Sequence, residues 1–185
     1  MFYLALKTDV ELHLLTEAHV TTLFHLIEIN RPHLRRWLPW VDGTQTLEDT
    51  RRYVRFGLRQ HAKRNGMHAG IWYQRRLAGV VSYNYIDLGK RQTELGYWLG
   101  RAFQGKGLMT AACRAMTTYA FDQLKLQRIE IRCAVANEKS RAIPDRLGYE
   151  TIGIAPQLDW SSDHYIDTAI YSMSVEDWQK REAQT

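Results

Sequence analysis

This sequence predicts a single alternating α/β domain, and three stretches of it carry the prediction. At residue 67 the hydrophobic period changes from helical spacing to alternation. An apolar strand, Leu95–Leu99, runs through a glycine-bearing turn straight into a helix with an apolar stripe. A further strand, Arg128–Val135, leads into a short helix that closes at Gly148. No internal repeat, low-complexity tract or linker interrupts the 185 residues, so one domain spans 1–185.

Taken in order, residues 3–15 read as a strand with polar interruptions. Thr16 can cap a helix carrying Val20, Leu23, Phe24 and Ile27. Arg31-Pro32 is expected to break that helix, because a proline disfavours helical backbone at the residue before it. A short helical segment holding Leu34, Trp37 and Leu38 follows, then Pro39-Trp40 and a turn at Asp42-Gly43. Thr46 caps a longer helix over about 47–64, with Glu48 and Asp49 in the first turn, where the helix dipole favours negative charge. Gly66 is the expected stop. Met67–Tyr73 and Leu77–Ile86 form a hairpin through Gln74–Arg76, and a turn at Gly89–Arg91 leads to a strand over 93–99. The next helix carries Leu108, Ala112, Met116 and Ala120 on one stripe, which is core packing. Beyond the strand Arg128–Val135 come a helix from Ser140 to Leu147, strands near 149–154 and 165–173, and a last helix over 175–182.

Composition excludes several classes. Hydrophobic residues make up 45% and charged residues 24%, ordinary for a globular chain. No apolar run approaches bilayer length, and the start shows no signal peptide, so no membrane role and a cytoplasmic location are expected. Cys113 and Cys133 fall in a helical and a strand pattern and read as reduced core thiols. The net charge of +5 comes from dispersed basic residues that form no nucleic-acid module. Such a field draws in an anionic ligand or an acidic substrate. The seven histidines show no paired metal spacing, and no metal site is expected.

The turn after Leu99 centres on Gln104-Gly105-Lys106-Gly107. Glycines there let the backbone approach a ligand, and the free N–H groups of the first helical turn point the same way. Lys106 adds a mobile positive charge. The spacing is neither a nucleotide P-loop nor a G-x-G-x-x-G fingerprint, since Thr110 stands at the third glycine position. It resembles the Q/R-x-x-G-x-G/A loop of the GNAT superfamily, the acetyl-coenzyme A-dependent N-acetyltransferases. Gln104 and Gly107 match, and Met109 departs from the usual Gly or Ala. A second stretch, Asn137–Tyr149, is similar to another GNAT signature, with Asn137, Ser140, Arg146, Gly148 and Tyr149 in register. Both stretches look like the RimL-like branch, which acetylates N-terminal amino groups of ribosomal proteins.

The resemblance implies a mixed, strongly twisted sheet, splayed open in the middle and flanked by helices, with acetyl-CoA in the split. Gly96 inside a strand suggests the bulge that opens it. The resemblance then implicates the main chain of Tyr97, Trp98 and Leu99 in binding pantetheine, and residues Gln104, Gly105, Lys106, Gly107, Leu108, Met109 and Thr110 in binding the diphosphate. Tyr97 and Trp98 read equally as plain sheet residues. Asn137 either holds the pantetheine arm or stabilises its turn.

Acyl transfer to an amine needs a base, because an ammonium must lose a proton before it attacks a thioester. It also needs a donor to the tetrahedral oxyanion, which the resemblance places at a main-chain N–H near Leu99. The resemblance makes Glu94 the first candidate base, at the strand carboxylate that many GNAT enzymes use, and Asp159 the second, in a segment where some RimL-like enzymes place a carboxylate; Glu94 reads also as an exposed strand-end charge. Many superfamily members use a tyrosine in the later helix as acid, but Pro144 stands at that position and cannot donate. Ser140 is the remaining side-chain donor to the thiolate, or else only a helix cap. Trp37-Leu38-Pro39-Trp40 either lines the acceptor cleft or anchors two helices. The implied acceptor is a protein N-terminus, foremost of a ribosomal protein. A small amine, polyamine or antibiotic, and a non-catalytic acyl-CoA-binding module, are the alternatives. Relatives often pair through sheet edges or helices, and a homo-oligomer stays open.

Overall fold

In a computed structural model of the chain, residues 2–161 and 164–184 are described, the side chains of 157–161 and 164–165 excepted. The chain runs β1 (Tyr3–Lys7), β2 (Val10–Leu14), α1 (Val20–Leu34), α2 (Trp40–Gly43), α3 (Leu47–Ala62), β3 (Met67–Tyr73), β4 (Arg76–Asp87) and β5 (Gln92–Leu99). Then follow α4 (Leu108–Asp122), β6 (Arg128–Ala134), α5 (Glu138–Leu147), β7 (Glu150–Ser161), β8 (His164–Ser174) and α6 (Val175–Glu182). The strands make one sheet in the order β1-β2-β3-β4-β5-β6-β8-β7. All neighbours are antiparallel except β5 and β6, which α4 joins as a crossover.

Strand alternation sorts the apolar side chains to two faces. On one face Val81, Tyr83 and Leu95 pack against Ala112, Met116 and Ala120 of α4. On the other, Leu77, Val80 and Trp98 pack against Leu23 and Ile27 of α1 and Val54 of α3.

Four expectations are corrected. Residues 3–15 are a hairpin rather than one strand, turning at Thr8-Asp9, where Lys7 pairs with Val10. Pro32 does not break α1. It lies in the last turn, where its missing N–H removes a single bond, and Arg35 N–H still donates to the Arg31 carbonyl at 3.0 Å. Asp42-Gly43 belongs to α2 rather than a turn; the Arg31 guanidinium holds that short helix by donating to the carbonyls of Val41 and Thr44. The left-handed residue that ends α3 is Arg64, at φ +56°, and not Gly66.

A fifth correction bears on the site. The bulge lies on β4, between Tyr83 and Tyr85, while Gly96 pairs regularly with Ser82. Gly96 instead leaves room for its neighbour: a Cβ there would stand 2.8 Å from the Asn84 Oδ1, and that side chain would have to shift. The split begins where β5–β6 pairing ends, at Glu94 opposite Glu130. Beyond it β6 stays with β8 and β5 stays with β4. The β6-facing edge of residues 95–99 is therefore open.

Candidate active site

A cleft of about 1480 Å³ enters this split and reaches both faces of the sheet. Its lining brings together Glu94, Tyr97, Trp98, Leu99, every residue from Gln104 to Thr110, Asn137 and Ser140. Asp159 lies on β7 opposite Ile166, and its side chain falls outside the described residues.

The loop before α4 is built by two left-handed glycines, Gly105 at φ +75° and Gly107 at φ +71°. A Cβ on either would meet no atom within 4 Å, so the conformation demands glycine and the space outside the backbone is free. Gly107 is the residue at which α4 starts, leaving the first-turn N–H groups open to an anion. Met109 turns its side chain into the core, 6% exposed, which is how the loop tolerates a large residue there. Lys139 donates to Gln104 Oε1 at 3.3 Å, and Gln104 Nε2 lies 2.8 Å from His33 Nε2. With the amide donating, His33 is a neutral acceptor at that nitrogen. Desolvation, with Arg101, Lys139 and Arg36 nearby, pushes its pKa below the ordinary histidine value. The loop, the open β5 edge and these cations fit a coenzyme A thioester: backbone for the amides and the diphosphate, ammonium and guanidinium groups for its charge.

The wall formed by α5 rests on a proline. Pro144 has no N–H to give the Ser140 carbonyl one helical turn back. The Tyr97 hydroxyl takes that place, donating to the Ser140 carbonyl at 2.9 Å. The Ser140 Oγ donates to Cys133 Sγ at 3.2 Å, and Tyr97 Oη is 3.6 Å from the same sulfur. Burial raises the pKa of both Tyr97 and Cys133, so the cluster stays neutral and protonated. Asn137 caps α5 by accepting from Ser140 N–H at 3.2 Å through Oδ1, leaving its amide group for a ligand. Cys133 and Cys113 are buried free thiols, as read, but Cys133 also faces the cleft.

Glu94 stands at the mouth of the split. It accepts from Asn84 Nδ2 at 2.7 Å and pairs with Arg132 Nε at 3.3 Å. Ser82 Oγ donates to Asn84 Oδ1 at 2.9 Å, so a row of hydrogen bonds crosses β4 behind the carboxylate. The far end of the cleft is aromatic. Trp37, Leu38 and Trp40 line it, as do Tyr53 and Trp98, and Trp40 stacks with Tyr53 at 6.3 Å between centroids. Beneath them His68, opposite Ser82 on the ladder, is 6% exposed and stacks on Tyr53 at 4.5 Å. Burial pushes its pKa down to about 4.

Sequence reasoning missed Arg132, Asn84, His33, His68 and the hydroxyl of Tyr97. Of these only Tyr97 had a signal: a proline inside a helix frees the carbonyl four residues back, and some donor must meet it. Among the described residues no group of three His, Cys, Asp or Glu could hold a metal ion.

A sheet opened beside a left-handed glycine loop and a helix N-terminus defines the class: an acyltransferase that holds a coenzyme A thioester in the split. The chain belongs to the GNAT acetyltransferases, since the family model described as Acetyltransferase (GNAT) domain matches residues 9–150. It resembles YdaF of Bacillus subtilis (strain 168), whose name assigns it provisionally to the ribosomal N-acetyltransferases. The two are 35% identical over 97% of this chain and 98% of that one. The ribosomal-protein-serine acetyltransferase of Escherichia coli (strain K12) is 31% identical over 91% of this chain and 94% of its own. Among solved structures, RimL, a ribosomal L7/L12 α-N-protein acetyltransferase, superposes with a TM-score of 0.92 at 28% identity. The match covers 95% of this chain and 99% of that one, and the structure holds coenzyme A in disulfide linkage to a cysteine. The chain is thus an acetyl-CoA-dependent N-acetyltransferase, and the fold expected from its signatures is the one observed.

Proposed function

We propose that this enzyme acetylates the N-terminal α-amino group of a ribosomal protein in the cytoplasm, as one catalytic domain over 1–185. The observation that carries the reading is likeness to ribosomal-protein acetyltransferases along nearly the whole chain. The charge of the cleft supports it over the polyamine alternative. Among the described lining residues the carboxylates are Glu94 and Glu138, set among Arg36, Arg101, Lys106, Arg132 and Lys139. A polycation would meet repulsion there.

In this reading the N–H groups of residues 107–110, with Lys106, bind the diphosphate, and Tyr97–Leu99 and Asn137 bind the pantetheine arm. Glu94 takes the proton of the incoming ammonium. The amine nitrogen then attacks the thioester carbonyl, and a main-chain N–H near Leu99 stabilises the oxyanion. As the C–N bond forms and the C–S bond breaks, the nitrogen gives up its second proton and the departing thiolate takes one, relayed through the Ser140 hydroxyl or water, which is left unchanged. Asp159 is the second proposed base. Holding both substrates in line supplies much of the rate.

The test is mass spectrometry of ribosomal proteins from cells with and without the chain. Loss of one acetyl increment at one N-terminus identifies the acceptor. Acetyl-CoA binding without thiol release on any N-terminal peptide would instead favour a non-catalytic module.

A further inference from the structure

The acceptor end of the cleft keeps a histidine that the fold accommodates at a cost. His68 is buried, and its Nδ1 has no hydrogen-bond partner among the described residues. It is seated against α3 only because residue 57 is glycine: a Cβ there would stand 2.7 Å from that nitrogen. Glycine inside a helix costs stability, and so does desolvating an imidazole. A leucine at 68 would avoid the second cost, though it too would need glycine at 57, whose Cβ would stand 2.8 Å from the Cγ of residue 68. Local rules broken together in a cleft mark a site.

Geometry fixes what the ring offers. A neutral imidazole carries one proton, and it gains most where a partner can reach the N–H. The Nδ1 edge is therefore the bare one, and Nε2 carries the proton. With Tyr53 on its face and Gly57 on its Nδ1 edge, the ring turns its remaining edge to the cleft. Ser82, directly across the ladder, is already committed to Asn84 and, through it, to Glu94. An amide does not pass protons on, so this row holds groups in place and is not a wire.

We propose that His68 is a positioning residue for the acceptor, donating from Nε2–H to an uncharged oxygen of its first residue. This rests on the α-amino reading above. The oxygen is either the first peptide carbonyl or a side-chain hydroxyl. Three acceptors separate them: a seryl dipeptide amide, its alanyl counterpart, and the seryl analogue with the first carbonyl reduced to methylene.

With the native enzyme, removing the oxygen that His68 binds should raise KM about tenfold, with kcat within about threefold. In His68→Leu the three acceptors should share one high KM, while the KM for acetyl-CoA stays put. Histidine ¹⁵N NMR on the native protein gives a second reading, free of any folding defect. Nε2 should be the protonated nitrogen, and its resonance should shift with peptide but not with coenzyme A. Native enzyme indifferent to both oxygen deletions overturns the proposal, as does an Nε2 signal that no acceptor moves. If no peptide is turned over although the Nε2 signal responds to one, the α-amino transfer reading falls and the binding role of His68 stands.

Discussion

In the proposed reading, the cofactor wall of the cleft works through backbone, whereas the acceptor wall works through side chains gathered from distant elements. On the first, β5, the glycine loop and the start of α4 are consecutive in the chain, and their groups are open N–H and C=O. On the second, Trp40, Tyr53, His68, Ser82 and Trp98 come from five separate elements. Backbone binding demands only spacing and glycine, so it tolerates Met109 at an unusual position. Side-chain binding is free to differ, and in the proposed reading acceptor choice resides there. Glu94 stands at the seam, held by Asn84 from β4 and Arg132 from β6.

The largest effect should come from that seam. Glu94→Gln keeps the shape and removes the proton acceptor, so kcat should fall about 10²-fold or more. The KM for acetyl-CoA should stay within about twofold, because the cofactor wall is untouched. Thiol release measured across pH checks this; an unchanged profile and turnover would remove Glu94 as base.

Next in size is an acid-stability effect on the acceptor wall. The His68 pKa of about 4 lies below the ordinary 6.5, so as pH falls the unfolded chain takes up the proton first. Stability is full above about pH 6.5 and declines toward about pH 4, by about 3 kcal/mol in total from this group. His19 and His33, also pushed down by desolvation, act with the same sign. Urea unfolding at pH 7 and pH 4.5 should show His68→Leu losing much less than the native protein. Parallel losses in both would contradict the account.

The same contrast explains what the sequence could reveal. The strand–loop–helix unit was legible because glycine, spacing and an apolar stripe are local signals, and β3 and α6 fell on their expected residues. The residues that this unit contributes to the lining of the cleft stand on the same local signals. Gly96 was read as a bulge because nothing local says that the Asn84 side chain lies over it; the bulge sits on the strand next door. His68 alternates correctly in its strand and looks like any core residue. Its meaning depends on Gly57, eleven residues away on a helix, and on Ser82 across a hairpin. Trp37 to Trp40 were legible as apolar, but which surface they line is a tertiary fact.

A moderate effect is expected where the two kinds of group meet. Tyr97→Phe leaves the Ser140 carbonyl without its donor and should cost about 1–2 kcal/mol, a fall of several degrees in Tm. Pro144→Ala restores a backbone N–H to that carbonyl, so the Tyr97→Phe penalty should shrink by about 1 kcal/mol in the double variant. Additive losses in thermal unfolding would mean that the hydroxyl and the proline are unrelated.

The smallest effect isolates the backbone wall. Gly107 sits at φ +71° with open space where a Cβ would be, so Gly107→Ala introduces conformational strain and no collision. That strain is about 1 kcal/mol, felt most when the loop must hold its shape around a diphosphate. The KM for acetyl-CoA should therefore rise about fivefold, with the acceptor KM unchanged. His68→Leu should do the reverse, moving the acceptor KM alone. Gly43→Ala is the control: it also meets no atom within 4 Å, lies in α2 without a positive φ, and should leave both constants where they were. If Gly107→Ala shifted acceptor and cofactor constants together, the two walls would be one coupled surface, and the division between backbone and side-chain binding would fail.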